Sequence, residues 1–267
     1  IIMFLLMPLI LLCSCATLTT TKHDPVIIPE FMEIQFGLAT KLQVDAQYKS
    51  YNDRELSAYV TAIGNRLASV SSRSSLKYSF TVVDSKEINA FAVPGGFVYV
   101  TTGLIKALDD EAQLAAVIGH EIGHIDRQHG VKALQRHIVA TQGLAFLEKL
   151  VNEGKPAEQK SEIGKIAASA GLQLLFLRNS RENEFEADEQ GALLASRVGY
   201  DPYAIVDVQH HLLKLRQGTP SALEQMLSTH PISEARINHA NNYIKNNNLG
   251  GKARSKDVYA KMKARIK

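Results

Sequence analysis

The chain has 267 residues, 45% of them hydrophobic, which is long and apolar enough for one large domain with its own core. Its 30 lysines and arginines stand against 27 acidic residues for a net charge of +3, and the two signs are interleaved, so nucleic acid is excluded as a partner. The exception is the stretch 251–267, where Lys252, Arg254, Lys256, Lys261, Lys263, Arg265 and Lys267 face only Asp257. It is read as a solvated basic C-terminal helix or tail, with contact to an anionic membrane surface as the alternative.

Residues 1–14 carry no charge and are nearly all apolar. The apolar run to Leu12 is shorter than the roughly 20 residues a spanning helix needs, so it reads as the core of an export signal peptide, ahead of which a basic leader is expected. Leu12-Cys13-Ser14-Cys15 resembles the bacterial lipobox. That resemblance makes Cys15 the lipidated residue that anchors the chain to a membrane, and Ala16 after it points to the periplasmic face of the outer membrane. No cysteine follows Cys15, so the body beyond it has no disulfide. Residues 15–30 are threonine-rich with two prolines and suit a tether.

Helices are predicted over Phe31 to Tyr48 and Arg54 to Val70, the second capped by Asn52-Asp53. Strands follow at Tyr78 to Val83, Ile88 to Val93 and Phe97 to Thr101, the last two joined by the turn Pro94-Gly95-Gly96. Asp109-Asp110 caps a helix that runs through His120 toward Gly130. Apolar arms at Val131 to Val151 and Ile163 to Leu177 flank the polar stretch 152–160 as a helical hairpin. Glu148, Lys149, Lys165 and Gln173 interrupt the arms, so they are read as packing helices rather than membrane spans. Helices resume at Glu182 to Val198, Ala204 to Leu215 and Ser233 to Lys245.

His120-Glu121-Ile122-Gly123-His124 matches H-E-x-x-H. Four residues turn a helix about 400°, so both imidazoles lie on one face and reach one metal, while Glu121 stands beside them, able to take a proton from water. Two neutral imidazoles with an open position suit Zn2+. Ala112, Ala116, Gly119 and Gly123 give this helix small positions against which another helix can pack closely. A third ligand is still needed. Arg127 and Gly130 occupy the positions where a metzincin carries glycine and histidine, so that class is excluded, and His129 and His137 read as helix-end or surface residues. On the later helix Glu184, Ala187, Asp188, Gly191, Ala192 and Ala195 share a narrow face. Such a face can deliver Glu184 to the metal and Asp188 to an imidazole N–H; the alternative is an ordinary acidic helix with Glu184 in solvent.

These motifs together resemble the gluzincin peptidase family of HtpX and the CAAX prenyl endopeptidases. Asn89-Ala90-Phe91-Ala92-Val93-Pro94-Gly95-Gly96, Thr229-His230-Pro231 and Arg236-Ile237 carry the likeness further, over roughly Tyr51 to Asn242. The resemblance implies one zinc on His120, His124 and Glu184, catalysis by Glu121, support from Asp188, and a strand near Phe91 to Val93, or its neighbour after Gly96, that offers its edge to an extended substrate. His230 or Arg236 is expected to reach the site. Either would stabilise an oxyanion, or His230 would take the open zinc position and hold the enzyme latent; a helix cap and a structural ion pair are the alternatives. The expected architecture is a mainly helical α+β metalloprotease domain over residues 31–250, with a small antiparallel sheet beside the zinc helix. Family members with a lipobox and no membrane spans are periplasmic lipoproteins of envelope quality control. That implies an endopeptidase acting on unfolded or misfolded polypeptides; the alternative is an envelope chaperone or latent zinc lipoprotein that cleaves little.

Overall fold

A computed structural model describes residues 25–218 and 220–267, so the signal segment and Cys15 lie outside the described residues. The chain starts with α1 (Glu30–Gln47) and α2 (Arg54–Ala68), the second opened by Asp53, whose side chain accepts from Leu56 N–H. The last residues of the proposed tether already lie on the domain: Ile28 is buried, and Ile27 N–H donates to Gln135 Oε1.

Strands β1 (Ser79–Val83), β2 (Ala90–Val93) and β3 (Phe97–Thr101) form one sheet in the order β1-β3-β2. The β2–β3 hairpin is antiparallel, but β1 pairs with β3 in parallel, so the sheet is mixed rather than wholly antiparallel as expected. The reason is topological. β3 returns from the Gly95-Gly96 turn, where both glycines take positive φ, into the place between β2 and β1. Helix α3 (Thr102–Ala107) follows directly, capped by Thr101.

Helix α4 (Glu111–Asp126) is the axis of the molecule: every residue from Glu111 to Ile125 is buried. A helix apolar and small on all sides needs neighbours on all sides. They are α2, the sheet, α8 (Arg181–Arg197) and α9 (Ala204–Gly218), which enclose the main core with Leu56, Ile63, Val98, Leu114, Ile118 and Leu212. The arm predicted as one helix over Val131 to Val151 is broken at Gly143, φ 89°, into α5 (His129–Gln142) and α6 (Leu144–Asn152). Helix α7 (Pro156–Leu175) begins inside the stretch read as a polar insertion, because Pro156 is favourable at the first helical position and the Glu158 carboxylate accepts from Lys155 N–H. With α1, these helices close a second core around Met32, Phe36, Leu134, Leu147 and Ile163. No helix among the described residues is long and apolar enough to cross a membrane.

After α10 (Pro220–Thr229) and α11 (Glu234–Asn246) the basic segment folds back instead of extending into solvent. Tyr259 of α12 (Lys256–Lys263) is buried and donates to Ile105 C=O, and Ile266 is buried too. Arg254 pairs with Asp201, Asp207 and Asp110, the last being the residue that caps α4. The C-terminal charges therefore fasten the start of the central helix.

Candidate active site

The small faces read from the sequence meet: α4 lies against α8 with glycine on both sides. A Cβ placed on Gly119 would come 3.2 Å from Gly191 backbone atoms, one on Gly191 3.0 Å from Ala116 C=O, and one on Gly123 2.9 Å from Gln190 Cβ. Any larger side chain would force the two backbones apart. At this spacing the short carboxylates of Glu184 and Asp188, both buried, cross to the imidazoles of α4. Ser180 caps α8 by accepting from Asn183 N–H, which sets the register that aims Glu184 inward.

His120, His124, Glu184 and His230 each bring one ligand atom into a group in which all lie within 4.8 Å of one another. His120 Nε2 is 3.1 Å from His124 Nε2 and 3.4 Å from His230 Nδ1. Glu184 Oε1 is 3.5 Å from His124 Nε2 and 3.0 Å from His230 Nδ1, and its Oε2 is 3.5 Å from His120 Nε2. A tetrahedron of nitrogen and oxygen around zinc, with bonds near 2.1 Å, has edges of about 3.4 Å. Buried Glu184 Oε2 is also ion-paired with Arg236 Nη1 at 2.6 Å, which holds the carboxylate in place. Donor types and spacing both fit one zinc ion.

Behind this group His120 Nδ1 is 3.0 Å from Asp188 Oδ1, an arrangement that leaves Nε2 free to face a metal. Arg236 is buried beyond the ligands: Nε and Nη2 donate to the two oxygens of Asp188 at 2.8 and 2.7 Å, and Nη1 donates to Pro231 C=O at 3.1 Å. Its guanidinium thus ties Glu184, Asp188 and the loop bearing His230 together, and it does not stand among the converging donors. Burial would raise the carboxyls of Glu184 and Asp188, yet nearby positive charge, from His230 and Arg236 for the first and Arg236 and His120 for the second, outweighs burial and holds both well below the usual range. Glu121 lies outside the ligand group with Oε1 3.8 Å from His230 Nε2, and burial pushes its carboxyl up.

A cleft of 240 Å³ opens on Glu121, His124 and His230. Ala92 and Pro94, at the β2 side, form one of its walls, and Leu174 and Leu175 of α7 another. β2 is the strand at the end of the sheet on this side, so the edge expected near Phe91 to Val93 lies along the cleft and the strand after Gly96 does not. His129, read from the sequence as a helix-end or surface residue, does open α5, but it is buried against His124 rather than on the surface. Its spacing five residues after His124 was the available signal; the backbone turn that directs it inward was not readable.

Peptidase family M48 matches residues 54–244. Among curated proteins, the beta-barrel assembly-enhancing protease of Escherichia coli K12 is 31% identical over 79% of this chain and 43% of its own length. A mitochondrial metalloendopeptidase OMA1 of Schizosaccharomyces pombe is 29% identical over 78% of this chain and 61% of its own, and the Bos taurus OMA1 is 35% identical over 64% and 33%. The chain spans less than half the length of the Escherichia coli relatives it matches.

Proposed function

This chain belongs to peptidase family M48, and we propose that it is a zinc-dependent endopeptidase that cleaves unfolded or misassembled polypeptides in the bacterial cell envelope. The observation that carries the reading is the convergence of His120, His124 and Glu184 on one point, with the buried Glu121 carboxylate beside it at the end of a cleft. When bound, zinc supplies Lewis-acid activation of water and of the peptide carbonyl. His120, His124 and Glu184 hold it; Asp188 fixes the His120 ring. Glu121 takes the proton of the attacking water and returns it to the leaving amine, a task suited to a carboxyl raised by burial. β2 grips an extended chain through its free backbone edge, which asks for no particular sequence and so suits unfolded substrates.

The envelope assignment is supported by the name of the Escherichia coli relative and by the lipobox-like Leu12-Cys13-Ser14-Cys15, through which Cys15 anchors the chain on the periplasmic face of the outer membrane. Membrane fractionation is expected to release the Cys15→Ala variant into the soluble pool; an unchanged distribution removes the anchor. The activity itself is tested on unfolded casein. Zinc-loaded protein is expected to cleave it, to stop on chelation and to resume on zinc return, whereas zinc uptake without cleavage by any variant leaves a holding chaperone.

His230 favours a resting form of this enzyme. Its Nδ1 takes the fourth corner of the ligand group, at 3.4 Å from His120 Nε2 and 3.0 Å from Glu184 Oε1, which is the place substrate has to enter. Pro231 and the Arg236 bond to its carbonyl hold the loop in that position. His230→Ala is therefore expected to raise casein cleavage several-fold at equal zinc content. A fall of about 10²–10³ in rate would instead make His230 an oxyanion donor, and unchanged cleavage would leave it neither role.

A further inference from the structure

We propose that His129 and Glu186 form a positioning relay that fixes the ring of His124, the counterpart of Asp188 on His120; the proposal rests on the zinc reading above. Helix α4 ends at Asp126 and α5 starts at His129, and between them Gln128 takes a left-handed conformation with φ 54° and ψ 34°. A non-glycine residue there costs on the order of 1 kcal/mol. The turn directs His129 back toward α4 rather than outward. Its Nδ1 comes to 2.8 Å from His124 Nδ1, with the ring planes 69° apart, and the side chain is buried. On the far side His129 Nε2 lies 3.2 Å from Oε2 of Glu186, which sits on the face of α8 turned away from Glu184 and Asp188.

The proton positions in this chain are forced. Two ring nitrogens 2.8 Å apart share one hydrogen: with two they clash, with none their lone pairs repel. His124 needs Nε2 unprotonated, since that atom faces His120 Nε2 and Glu184 Oε1 in the ligand group. Its proton is then on Nδ1 and is donated to His129 Nδ1. His129 carries its own proton on Nε2 and donates it to the Glu186 carboxylate. A neutral imidazole thus transmits the orienting pull of a carboxylate that is too far away to reach His124 directly. Both zinc histidines are held from behind, one by a carboxylate and the other by a carboxylate through a ring. Groups in this position tune ligand basicity and orientation, and their loss costs about 10–100-fold in metal affinity.

The test measures zinc affinity of the full chain in detergent by competition with a chromophoric chelator, together with ring ¹⁵N spectra of the zinc-loaded protein. His129→Leu is expected to bind zinc about 10–100-fold more weakly than wild type, while its metal-free form keeps the wild-type circular dichroism. His129→Asn, whose amide oxygen takes the place of Nδ1 as acceptor, is expected to regain most of that loss, and Glu186→Gln to lose part of it. The spectra are expected to show His129 protonated at Nε2 and His124 at Nδ1. Equal affinities of wild type and His129→Leu, no recovery in His129→Asn, or an Nδ1-protonated His129 overturn the relay. Wild-type protein that takes up no zinc overturns the metal reading beneath it, a separate result.

Discussion

Replacing Glu121 by glutamine is expected to lower kcat for peptide cleavage by about 10²–10⁴-fold, the range set by loss of a general base, with zinc content and melting temperature close to wild type. Glutamine matches the shape of glutamate, and Glu121 is not one of the residues whose ligand atoms converge. The substitution therefore removes a proton acceptor and little else. Its burial matters for the chemistry as well as for packing. A carboxyl raised by desolvation holds a proton more readily than one in water and so can return it to a leaving amine. A quenched peptide substrate gives kcat and KM, and elemental analysis gives zinc per chain. Joint loss of zinc and activity would make Glu121 a ligand; retained activity would leave it no part in proton transfer.

The parts of this site that were legible in the sequence share one property: they are periodic on single helices. His120 and His124 one turn apart, Glu184 and Asp188 one turn apart, and small residues along both faces could be read because helical geometry converts spacing into direction. What escaped reading depends on contacts between distant segments. His129 turns inward because Gln128 adopts a positive φ, which no residue type at that position announces. The parallel pairing of β1 with β3 follows from β1 joining the hairpin at β3 rather than at β2, a long-range choice that strand patterns do not encode. Helices α3 and α10 are short and went unpredicted. The basic run at the C-terminus suggested a solvated helix, yet Tyr259 and Ile266 anchor it, and Arg254 serves three carboxylates, so part of its charge is structural. For Arg236 the sequence left two places open, the site itself and a structural ion pair. The residue lies behind the ligands because its own N–H is received by Ser233 at the start of α11, a helix that packs along α8 and presents the guanidinium to the back of Glu184 and Asp188.

That position makes Arg236→Met the substitution with the largest expected effect on stability, a loss of about 3–5 kcal/mol in metal-free protein at neutral pH. Methionine fills similar volume but leaves the buried Asp188 carboxylate without its main cation and Glu184 without one of its two. The pH dependence gives the cause a sign. In wild type the folded carboxyl of Asp188 is depressed, so its contribution is present above the unfolded pKa and fades as pH falls through the carboxylate range. Without Arg236 the balance turns to burial, the carboxyl rises, and protonation on acidification relieves the variant. The gap between wild type and Arg236→Met should therefore narrow from pH 7 to pH 5 in chelator. Zinc should narrow it too, because the ion replaces the lost guanidinium as the partner of Glu184, though not of Asp188. Urea melts at both pH values, with chelator and with zinc, separate these contributions. A gap that stays constant under all four conditions would mean that Arg236 acts through packing alone, and the electrostatic account of the ligands' support would have to be given up.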